Sequence, residues 1–559
     1  MRRETDAEKG THPLGELGPY AGRWIAHIRG RVLGQGGTPD QALMAARLAR
    51  FKETPEVMFV PMDQPLKFTK LLERVRQIIP TETEVYLVGG AVRDAMLSRL
   101  VHDYDFVLAE DALPVARKVA DKLGGAYFAL DVDRRTARVL CSDDQGVQYV
   151  LDFATFRGPD LESDLRDRDF TVNAMALSLR DLQTLYDPLG GASDLWNKVL
   201  KACSHASIHN DPIRVLRAIR LANQYRFRIH PDTRTAIGNV ASQLTHVSPE
   251  RVRDELLRIL GGPQPHTAVR ALDIIGALPA VFPELIDLKG VEQSPPHTQD
   301  VWRHTLDTLK HLETLVNLLG PVHDEDASAN MVMGLAVVRL GRYRTQITQH
   351  VSTELVPGRP LRDLLFLAAL SHDLGKPCVQ KVDDSERIRF FQHEDKGAQL
   401  AALRGKHLHL SNVEVERLRT VVFHHMRPTH LAREKKGPRA RAIYRFFRDT
   451  GPAGVDICLL SLADILATYG TTLPQERWAR QLDVVRTLLD AWWEHPQEQI
   501  DPPQLISGRD LIATLNVEPG PQIGRLLEMV REAQVEGVVS TKEEALGFVR
   551  TQFKSMDGA

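Results

Sequence analysis

The segment from residue 85 to residue 108 places a buried strand, a glycine pair, a helix and a second strand in immediate succession. The first strand is the apolar run 85–88, which leads into Gly89 and Gly90, and a helix begins at Ala91. This order is a recurring way to bring backbone N–H groups up to a phosphate. The pattern is common by itself, and it favours a mixed α/β architecture for this part of the chain.

Two carboxylates follow on the second strand, in the sequence His-Asp-Tyr-Asp-Phe-Val-Leu. Because residues two apart in a strand point to the same face, Asp103 and Asp105 lie side by side. Adjacent carboxylates repel unless a cation lies between them, so the pair predicts a divalent-metal site. Asp152, in the apolar run 149–153, is the candidate third carboxylate, and such a trio suits two-metal phosphoryl or nucleotidyl transfer. A solvated strand edge is the alternative for the tripeptide alone.

These segments resemble the first motif of the tRNA nucleotidyltransferases, the family that joins the CCA-adding enzymes to the bacterial poly(A) polymerases. Further segments resemble the family's ribose-binding motif, hinge motif, nucleotide-selecting helix and neck helix, in that order, at residues 164–175, 187–195, 211–220 and 248–256. One departure is Asp167-Arg168-Asp169, where the family usually has Arg-Arg-Asp. The resemblance covers about residues 66–290 and implies Mg²⁺-dependent nucleotidyl transfer from CTP and ATP to tRNA.

The resemblance also implies roles for individual residues. Asp103 and Asp105 would hold Mg²⁺ and act together with Asp152 as the catalytic carboxylates. The nucleotide-binding residues fall into three groups, for the triphosphate, the ribose and the base: Gly89, Gly90 and Arg93; Arg168, Asp169 and Asn173; Asp211, Arg214 and the weaker candidate Arg217.

The base-selecting pair has a simple chemical interpretation. Asp211 and Arg214 are three residues apart in a helical pattern, so an acceptor and a planar donor fork lie on one face. Such a pair can match the Watson–Crick edge of cytosine or adenine. Without the family context, a surface salt bridge would be the simpler interpretation.

The connection between the third carboxylate and the ribose motif is short. Only residues 158–163 separate the segment Thr155-Phe156-Arg157 from Asp164. Full CCA-adding relatives have a flexible loop here, and relatives without it tend to add CC only, so a CC-adding enzyme is the favoured prediction and full CCA addition the alternative. A poly(A) polymerase is less favoured, because the basic Gly-Arg-Arg-Phe segment typical of that branch is not visible around residues 97–105.

A second group of metal-ligating residues lies between residues 291 and 475. It resembles the HD-type metal-dependent phosphohydrolases through His304, His372, Asp373 and Asp464, with His393, His424 and His425 as further candidate ligands. Imidazoles and carboxylates from separate helices form a natural divalent-metal shell, whose bound water can attack a phosphoester. The metal is not specified by the sequence. Two alternatives remain open: a relic that only supports tRNA binding, and a hydrolase that is the main activity, with the head as a nucleotide sensor.

Composition limits the possible partners, metal ligands and cellular location of the protein. The chain has 71 Lys+Arg against 73 Asp+Glu, so overall charge gives no sign of nucleic-acid binding, and the local basic segment 433–448 is the candidate phosphate contact. The four cysteines form no Cys-x-x-Cys pair, which argues against a thiolate zinc site. No signal peptide and no apolar run of membrane-spanning length are evident, so we expect a cytoplasmic protein without membrane contact.

These observations predict an α+β fold with a mixed-sheet nucleotidyltransferase head, a helical neck, an all-α HD domain and a helical tail. The expected divisions are a small α/β appendage of unassigned role at 1–61, the head at 62–204, the neck at 205–290, the HD domain at 291–475 and a tRNA-binding tail at 476–559. Within the appendage, we expect a hairpin around Gly30, a helix that begins at Thr38-Pro39 and a returning strand. The oligomeric state is not set by the sequence.

Overall fold

The computed structural model describes residues 20–29, 31–48, 53–60, 66–321, 330–434 and 437–557. The chain divides into two compact units, residues 1–241 and 242–559. The boundary between them falls inside the predicted neck, 205–290. The division into five parts stays a prediction, and each unit is described by itself.

The first unit begins with a small α/β module. Strands β1 (Arg23–Ile28), β2 (Arg31–Gly36) and β3 (Glu56–Val60) form an antiparallel sheet in the order β2-β1-β3, and helix α1 (Pro39–Arg47) connects β2 to β3. The Thr38 hydroxyl accepts a hydrogen bond from the backbone N–H of the third helical residue, which confirms the predicted helix start. The expected order of strand, strand, helix and strand is also confirmed, whereas Gly30 and residues 1–19 lie outside the described residues.

The head is a seven-stranded mixed sheet in the order β10-β9-β4-β5-β8-β7-β6. Strands β5 and β8 are parallel and the other neighbours are antiparallel. The strands are β4 (Val85–Val88), β5 (Asp103–Leu108), β6 (Ala126–Asp131), β7 (Thr136–Ser142), β8 (Gln148–Thr155), β9 (Ala176–Ser178) and β10 (Asp181–Tyr186). The helices of this part are α2 (Lys70–Ile78), α3 (Gly90–Met96), α4 (Ala112–Leu123), α5 (Leu161–Arg166) and α6 (Gly191–Trp196), with a 3-10 turn at Thr171–Asn173.

Alternation along the central strands places apolar and acidic side chains on opposite faces. Phe106 and Phe153 are fully buried opposite partners on β5 and β8, and their ring centroids lie 4.8 Å apart. The residues before them in the chain, Asp105 and Asp152, are also opposite partners and point to the other face. The apolar face therefore fixes the register that brings the carboxylates together.

The first unit ends in helices α7 (His205–Asn210), α8 (Arg214–Tyr225) and α9 (Pro231–Val240), with the short parallel strands β11 (Val199–Leu200) and β12 (Arg228–Ile229). Asp211 lies between α7 and α8 in extended backbone conformation, at φ −143° and ψ 92°. The expected helix that carries both Asp211 and Arg214 on one face is therefore wrong in detail, because α8 begins only at Arg214.

The described part of the second unit is built from helices with two short strand pairs. Its larger helices are Pro249–Gly261, Pro265–Ile274, Val301–Leu318, Met331–Leu340, Arg344–Ser352, Leu361–Ser371, His393–His407, Asn412–His424, Ala440–Thr450, Ala453–Tyr469, Gln475–Trp493, Gly508–Leu515, Pro521–Val535 and Lys542–Asp557. Shorter helices are Leu278–Val281, Lys376–Val379, Arg427–Leu431 and Pro496–Gln499. The strands pair as Glu354–Val356 with Arg359–Pro360 and as Lys381–Val382 with Ile388–Arg389. The predicted mixture of a mixed-sheet head and helical remaining parts is confirmed.

One helix of this unit corrects an expectation. The segment Ala453–Thr472 is long and apolar enough to cross a membrane by length and composition, although no such run was expected. Most of the segment is buried inside the unit, and the helix packs against Val301–Leu318 and Gln475–Trp493. Its apolar composition is accounted for by its central position in a helical core.

Three arginines of the basic segment 433–448 form ion pairs within the second unit. Arg441, Arg445 and Arg448 all form ion pairs with Glu532, and Arg448 also contacts Glu528, at 2.7 Å. Both glutamates belong to the helix Pro521–Val535. These three arginines therefore hold the tail helix, while Lys435 and Lys436 lie outside the described residues. Contact of the segment with a phosphate backbone stays a prediction.

Candidate active site and candidate metal centre

Three carboxylates share one face of the head sheet. Asp105 on β5 is the direct neighbour of Asp152 on β8, and Asp103 lies two residues before Asp105 on the same face. Burial raises the pKa of Asp105 above its ordinary range, and the charges of Asp152 and Asp103 add to the rise, while Arg168 opposes it. The cluster thus concentrates negative charge that a divalent cation would relieve, and it brings together all three predicted catalytic residues.

Gly89 closes one side of this cluster. Its backbone has φ +74°, and a Cβ added there would lie 2.7 Å from Oδ2 of Asp105. A larger residue would meet both the unfavourable left-handed conformation and the carboxylate. The glycine pair therefore lets the start of α3 pass directly beside Asp105, while contact of Gly89 and Gly90 with a triphosphate stays a prediction.

Arg93 points inward. Its Nη1 donates to Oδ1 of Asn173, and its Nε and Nη2 donate to the carboxylate of Asp94 at 3.0 and 2.8 Å. The guanidinium lies 4.4 Å from the centroid of the Tyr225 ring, and the residue is 6% exposed. It links α3 to the turn Thr171–Asn173 and to α8, while its contact with a triphosphate stays a prediction.

The predicted ribose residues do come together. Oδ1 of Asp169 accepts hydrogen bonds from the backbone N–H of Phe170 at 2.8 Å and from Nδ2 of Asn173 at 3.0 Å, and Nη2 of Arg217 lies 3.0 Å from Oδ2. Burial alone would raise the pKa of Asp169, but Arg217 and these hydrogen bonds hold it below its ordinary range. Arg168 is fixed by Asp164, with Nη2 3.0 Å from Oδ2. Asp169 is therefore an ionised, fully oriented carboxylate.

The predicted base-selecting arginine is held by backbone carbonyls. Nη1 of Arg214 donates to the carbonyl oxygens of Ser207, at 2.9 Å, and Arg168, at 3.2 Å. Burial lowers the pKa of Arg214. The backbone N–H of Arg214 donates to the carbonyl of Asp211 at 3.0 Å, so the two residues adjoin at the start of α8. Recognition of a base edge by this pair stays a prediction.

The short connection after the third carboxylate is well anchored. Strand β8 ends at Thr155 and α5 begins at Leu161. Asp160 caps α5 by accepting hydrogen bonds from the backbone N–H and the hydroxyl of Ser163, at 2.8 and 2.6 Å. The connection contains no extended loop, in agreement with the sequence.

Sequence reasoning missed one residue in the head site. Arg138 on β7 pairs in register with Asp152 and donates from Nε to Oδ1 and from Nη2 to Oδ2, both at 2.8 Å. This bidentate arrangement neutralises and orients the third carboxylate. Strand alternation places Arg138 on a definite face, but only the pairing of β7 with β8 reveals its partner.

The second unit gathers the predicted HD residues at one centre. Nε2 of His304 lies 3.0 Å from Asp464 and 3.5 Å from Asp373, and Nε2 of His372 lies 3.2 Å from Asp373. Nε2 of His393 lies 3.6 Å from Asp373. The candidate ligand atoms form two overlapping groups, each within 4.8 Å: His304, His372 and Asp373, and Asp373, His393 and His425. Asp373 joins the two groups.

Three imidazoles of this centre are oriented for metal binding by backbone carbonyls. The Nδ1 atoms of His372, His393 and His425 each lie within hydrogen-bond distance of a backbone carbonyl, at 2.7, 2.9 and 2.6 Å. A proton on Nδ1 leaves the Nε2 lone pair free to face the cluster. Burial lowers the pKa of His425 to about 3, so this ring is neutral, as a ligand must be. The donor set fits a divalent ion.

His424 does not join the centre. Its ring contacts Phe423, and burial lowers its pKa to about 4, with Arg427 adding to the shift and Asp449 opposing it. This corrects the expectation that both histidines of the pair face the metal, because successive helical residues point in directions about 100° apart.

The sequence did not indicate that Lys376 belongs to this centre. Its Nζ lies 2.7 Å from Oδ2 of Asp373 and donates to Gln293 at 2.6 Å.

A cavity of about 430 Å³ opens onto this centre. It reaches Asp373, His393 and Asp464 of the cluster. Its other walls combine basic and aromatic side chains: Lys376, Arg387, Arg389, Arg433 and Arg477, with Phe390, Phe391 and Tyr469. Positive charge beside a candidate metal centre suits an anionic substrate such as a phosphoester.

Four protein families match successive parts of the chain. The Poly A polymerase head domain matches residues 85–201, an RNA- and SrmB-binding site of polymerase A matches 226–288, the HD domain matches 301–468, and domain 2 of the tRNA nucleotidyltransferases matches 480–549. The first match begins at residue 85, so the N-terminal α/β module lies outside all four.

Individual proteins match over most of the chain. The A-adding tRNA nucleotidyltransferase of Deinococcus radiodurans is 33% identical over 481 residues, which cover 85% of this chain and 96% of that protein. The CC-adding tRNA nucleotidyltransferase of Thermus thermophilus is 32% identical over 475 residues, covering 84% and 94%. Among solved structures, the Thermotoga maritima CCA-adding enzyme in complex with tRNA has the same fold, with a TM-score of 0.53, 20% identity and coverage of 87% and 97%.

Proposed function

We propose that this chain, which belongs to the tRNA nucleotidyltransferase family, adds cytidylates from CTP to the 3′ end of tRNA in the cytoplasm and stops after CC. The reaction type is inferred from the three carboxylates of the head: Asp103, Asp105 and Asp152 lie on one face of the sheet, beside Gly89. In this reaction the 3′-oxygen of tRNA forms a bond to the α-phosphorus of CTP, and the bond to pyrophosphate breaks. Asp103 and Asp105 would hold Mg²⁺, which supplies charge neutralisation and an acidified hydroxyl.

The other head residues prepare the site for the nucleotide. Arg138 keeps Asp152 oriented, and Gly89 leaves room for Asp105 beside the start of α3. The ionised Asp169, fixed by Asn173 and Arg217, offers an acceptor for a ribose hydroxyl. We assign base selection to Asp211 and Arg214 on the strength of the family resemblance.

The limit at CC rests on the connection between β8 and α5. The related proteins include both A-adding and CC-adding enzymes, so their names do not decide which nucleotide this chain adds. A connection of residues 156–160, capped by Asp160, leaves no flexible loop to re-shape the pocket from cytosine to adenine. CC addition is therefore the favoured specificity.

Incubation with tRNA that ends at the discriminator base tests this proposal. CTP alone, and CTP with ATP, should both give products two cytidylates longer, whereas ATP alone should give none. A complete CCA end would refute the limit at CC, and a long adenylate run from ATP alone would indicate a poly(A) polymerase. The double variant Asp103→Ala/Asp105→Ala should abolish incorporation, while Asp133→Ala, an exposed carboxylate in the β6–β7 turn, should retain it.

A second candidate function is favoured by the HD centre and its basic cavity. Four histidine side chains converge around Asp373 and Asp464, and the cavity beside them suits a phosphate group. We propose metal-dependent hydrolysis of a phosphomonoester or a 2′,3′-cyclic phosphate at a damaged tRNA end. The test uses each of several divalent ions and measures phosphate release from a phosphomonoester end and opening of a 2′,3′-cyclic phosphate to a phosphomonoester. His372→Ala should lose this activity and keep CTP incorporation; equal hydrolysis by wild type and variant would refute it.

A further inference from the structure

Among the described residues, the N-terminal α/β module contacts the head through Gly37 and Gln41. Gly37, between β2 and α1, has its carbonyl bonded to the backbone N–H of Asp187 at 3.0 Å. A Cβ built on Gly37 would lie 1.4 Å from the carbonyl oxygen of Asp187, so no side chain fits there. The two backbones are in direct contact.

A side chain of the module reinforces this contact. The Oε1 atom of Gln41 accepts a hydrogen bond from the backbone N–H of Gly37 at 3.0 Å, and its Nε2 donates to the carbonyl of Pro188. Gln41 lies in the first turn of α1, whose start is fixed by Thr38. One amide group therefore connects the module to the segment that follows β10.

The side chain of Asp187 connects this contact to helix α6. Its side chain is 2% exposed, and its two oxygens accept the backbone N–H groups of Gly191 at 2.7 Å and Ala192 at 3.0 Å. Helix α6 in turn lies against the turn Thr171–Asn173, because a Cβ on Gly191 would lie 2.1 Å from the carbonyl of Thr171. The Thr171 hydroxyl also donates to Oδ2 of Asp194 at 2.7 Å.

The end of this path is the nucleotide site. The turn Thr171–Asn173 carries Asn173, which donates to Asp169 and accepts from Arg93. An unbroken series of backbone and buried polar contacts thus leads from Gly37 to the proposed ribose-binding carboxylate. We propose that residues 20–60 form a clamp that fixes this carboxylate, with Gly37 and Gln41 as positioning residues; the effect on nucleotide binding rests on the proposed function.

Gly37→Ala tests the clamp in the full chain. The clash with Asp187 should separate the module from the head and speed amide hydrogen exchange in residues 187–196 and 171–175. The KM for CTP should rise about tenfold, equivalent to about 1.4 kcal/mol of lost binding, while kcat changes less. Gly238→Ala is the matched control, because its helical Cβ meets no atom within 4 Å, and it should leave both exchange and KM unchanged.

Gln41→Leu provides a milder variant should Gly37→Ala fail to fold, since it removes both hydrogen bonds without a backbone clash. It should raise exchange and KM in the same direction by a smaller factor. Unchanged exchange in residues 187–196 would refute the clamp, and faster exchange with an unchanged KM would refute its role in positioning. If Gly37→Ala speeds exchange but the wild-type chain incorporates no CTP, the result would support the clamp and refute the proposed function.

Discussion

At the residue scale, Gly89 has two separate effects: it adopts a positive φ, and it leaves room for the carboxylate of Asp105. Gly89→Ala should lower kcat for CTP incorporation by about a hundredfold, because the added Cβ displaces Oδ2 of Asp105 from the carboxylate cluster. Gly124→Ala is the control, since Gly124 has a similar φ of +68° but a Cβ there meets nothing within 4 Å. Equal loss of activity in both variants would mean that backbone strain, and not the carboxylate contact, is responsible.

Arg138 supplies the second prediction at this scale. Arg138→Gln removes a positive charge from Asp152, so the carboxylate cluster should bind cations more tightly. We expect the Mg²⁺ concentration for half-maximal activity to fall about two- to fivefold, and Mn²⁺ affinity measured directly in the absence of nucleotide to rise by a similar factor. Arg134→Gln, at an exposed ion pair, should change neither. Weaker Mn²⁺ binding in Arg138→Gln would contradict this assignment.

At the element scale, three arginines of the helix Ala440–Thr450 enclose Glu532 of the helix Pro521–Val535. Burial opposes ionisation, but Arg445 and Arg441 hold the pKa of Glu532 below its ordinary value. Because the folded-state pKa is lowered, this contribution is present at neutral pH and is lost as the pH falls below about 4.5.

Glu532→Gln should therefore lower the free energy of opening of the tail helix by about 1–2 kcal/mol at pH 7, since the arginines remain partly exposed. Hydrogen exchange of residues 521–535 measures this quantity, and the difference from wild type should shrink towards pH 4. Glu536→Gln, at the exposed end of the same helix, should have little effect. A difference independent of pH would point to lost packing instead of lost charge.

Local sequence rules predicted the helices and strands, but they did not predict which side chains from distant parts of the chain contact one another. Alternation along β5 is enough to place Asp103 and Asp105 on one face, and helical spacing anticipated the helices that carry His304 and Asp464. The inward position of Arg93 depends on Asn173, 80 residues later, and on Tyr225. The choice of His425 over His424 depends on how one helix is rotated in its bundle. Such long-range packing has no local signal.

At the scale of the whole molecule, the scarcity of cysteine agrees with candidate metal centres that are built from carboxylates and imidazoles. Among the described residues, the candidate ligands of the head are carboxylates, whereas those of the HD centre combine carboxylates with imidazoles. Oxygen ligands suit Mg²⁺, and mixed nitrogen and oxygen ligands suit transition metals. The two activities should consequently respond to different ions.

Metal removal tests this separation. After chelation, Mg²⁺ alone should restore CTP incorporation, whereas hydrolysis of the phosphate at damaged tRNA ends should need a transition metal such as Mn²⁺, Co²⁺ or Ni²⁺. Asp373→Asn should abolish the second response and leave the first within about twofold, because Asp373 is shared by both ligand groups of the HD centre and belongs to no part of the head. Recovery of both activities by Mg²⁺ alone would contradict the assignment of an imidazole-rich, transition-metal centre, and loss of CTP incorporation in Asp373→Asn would show that the two chemistries are not independent.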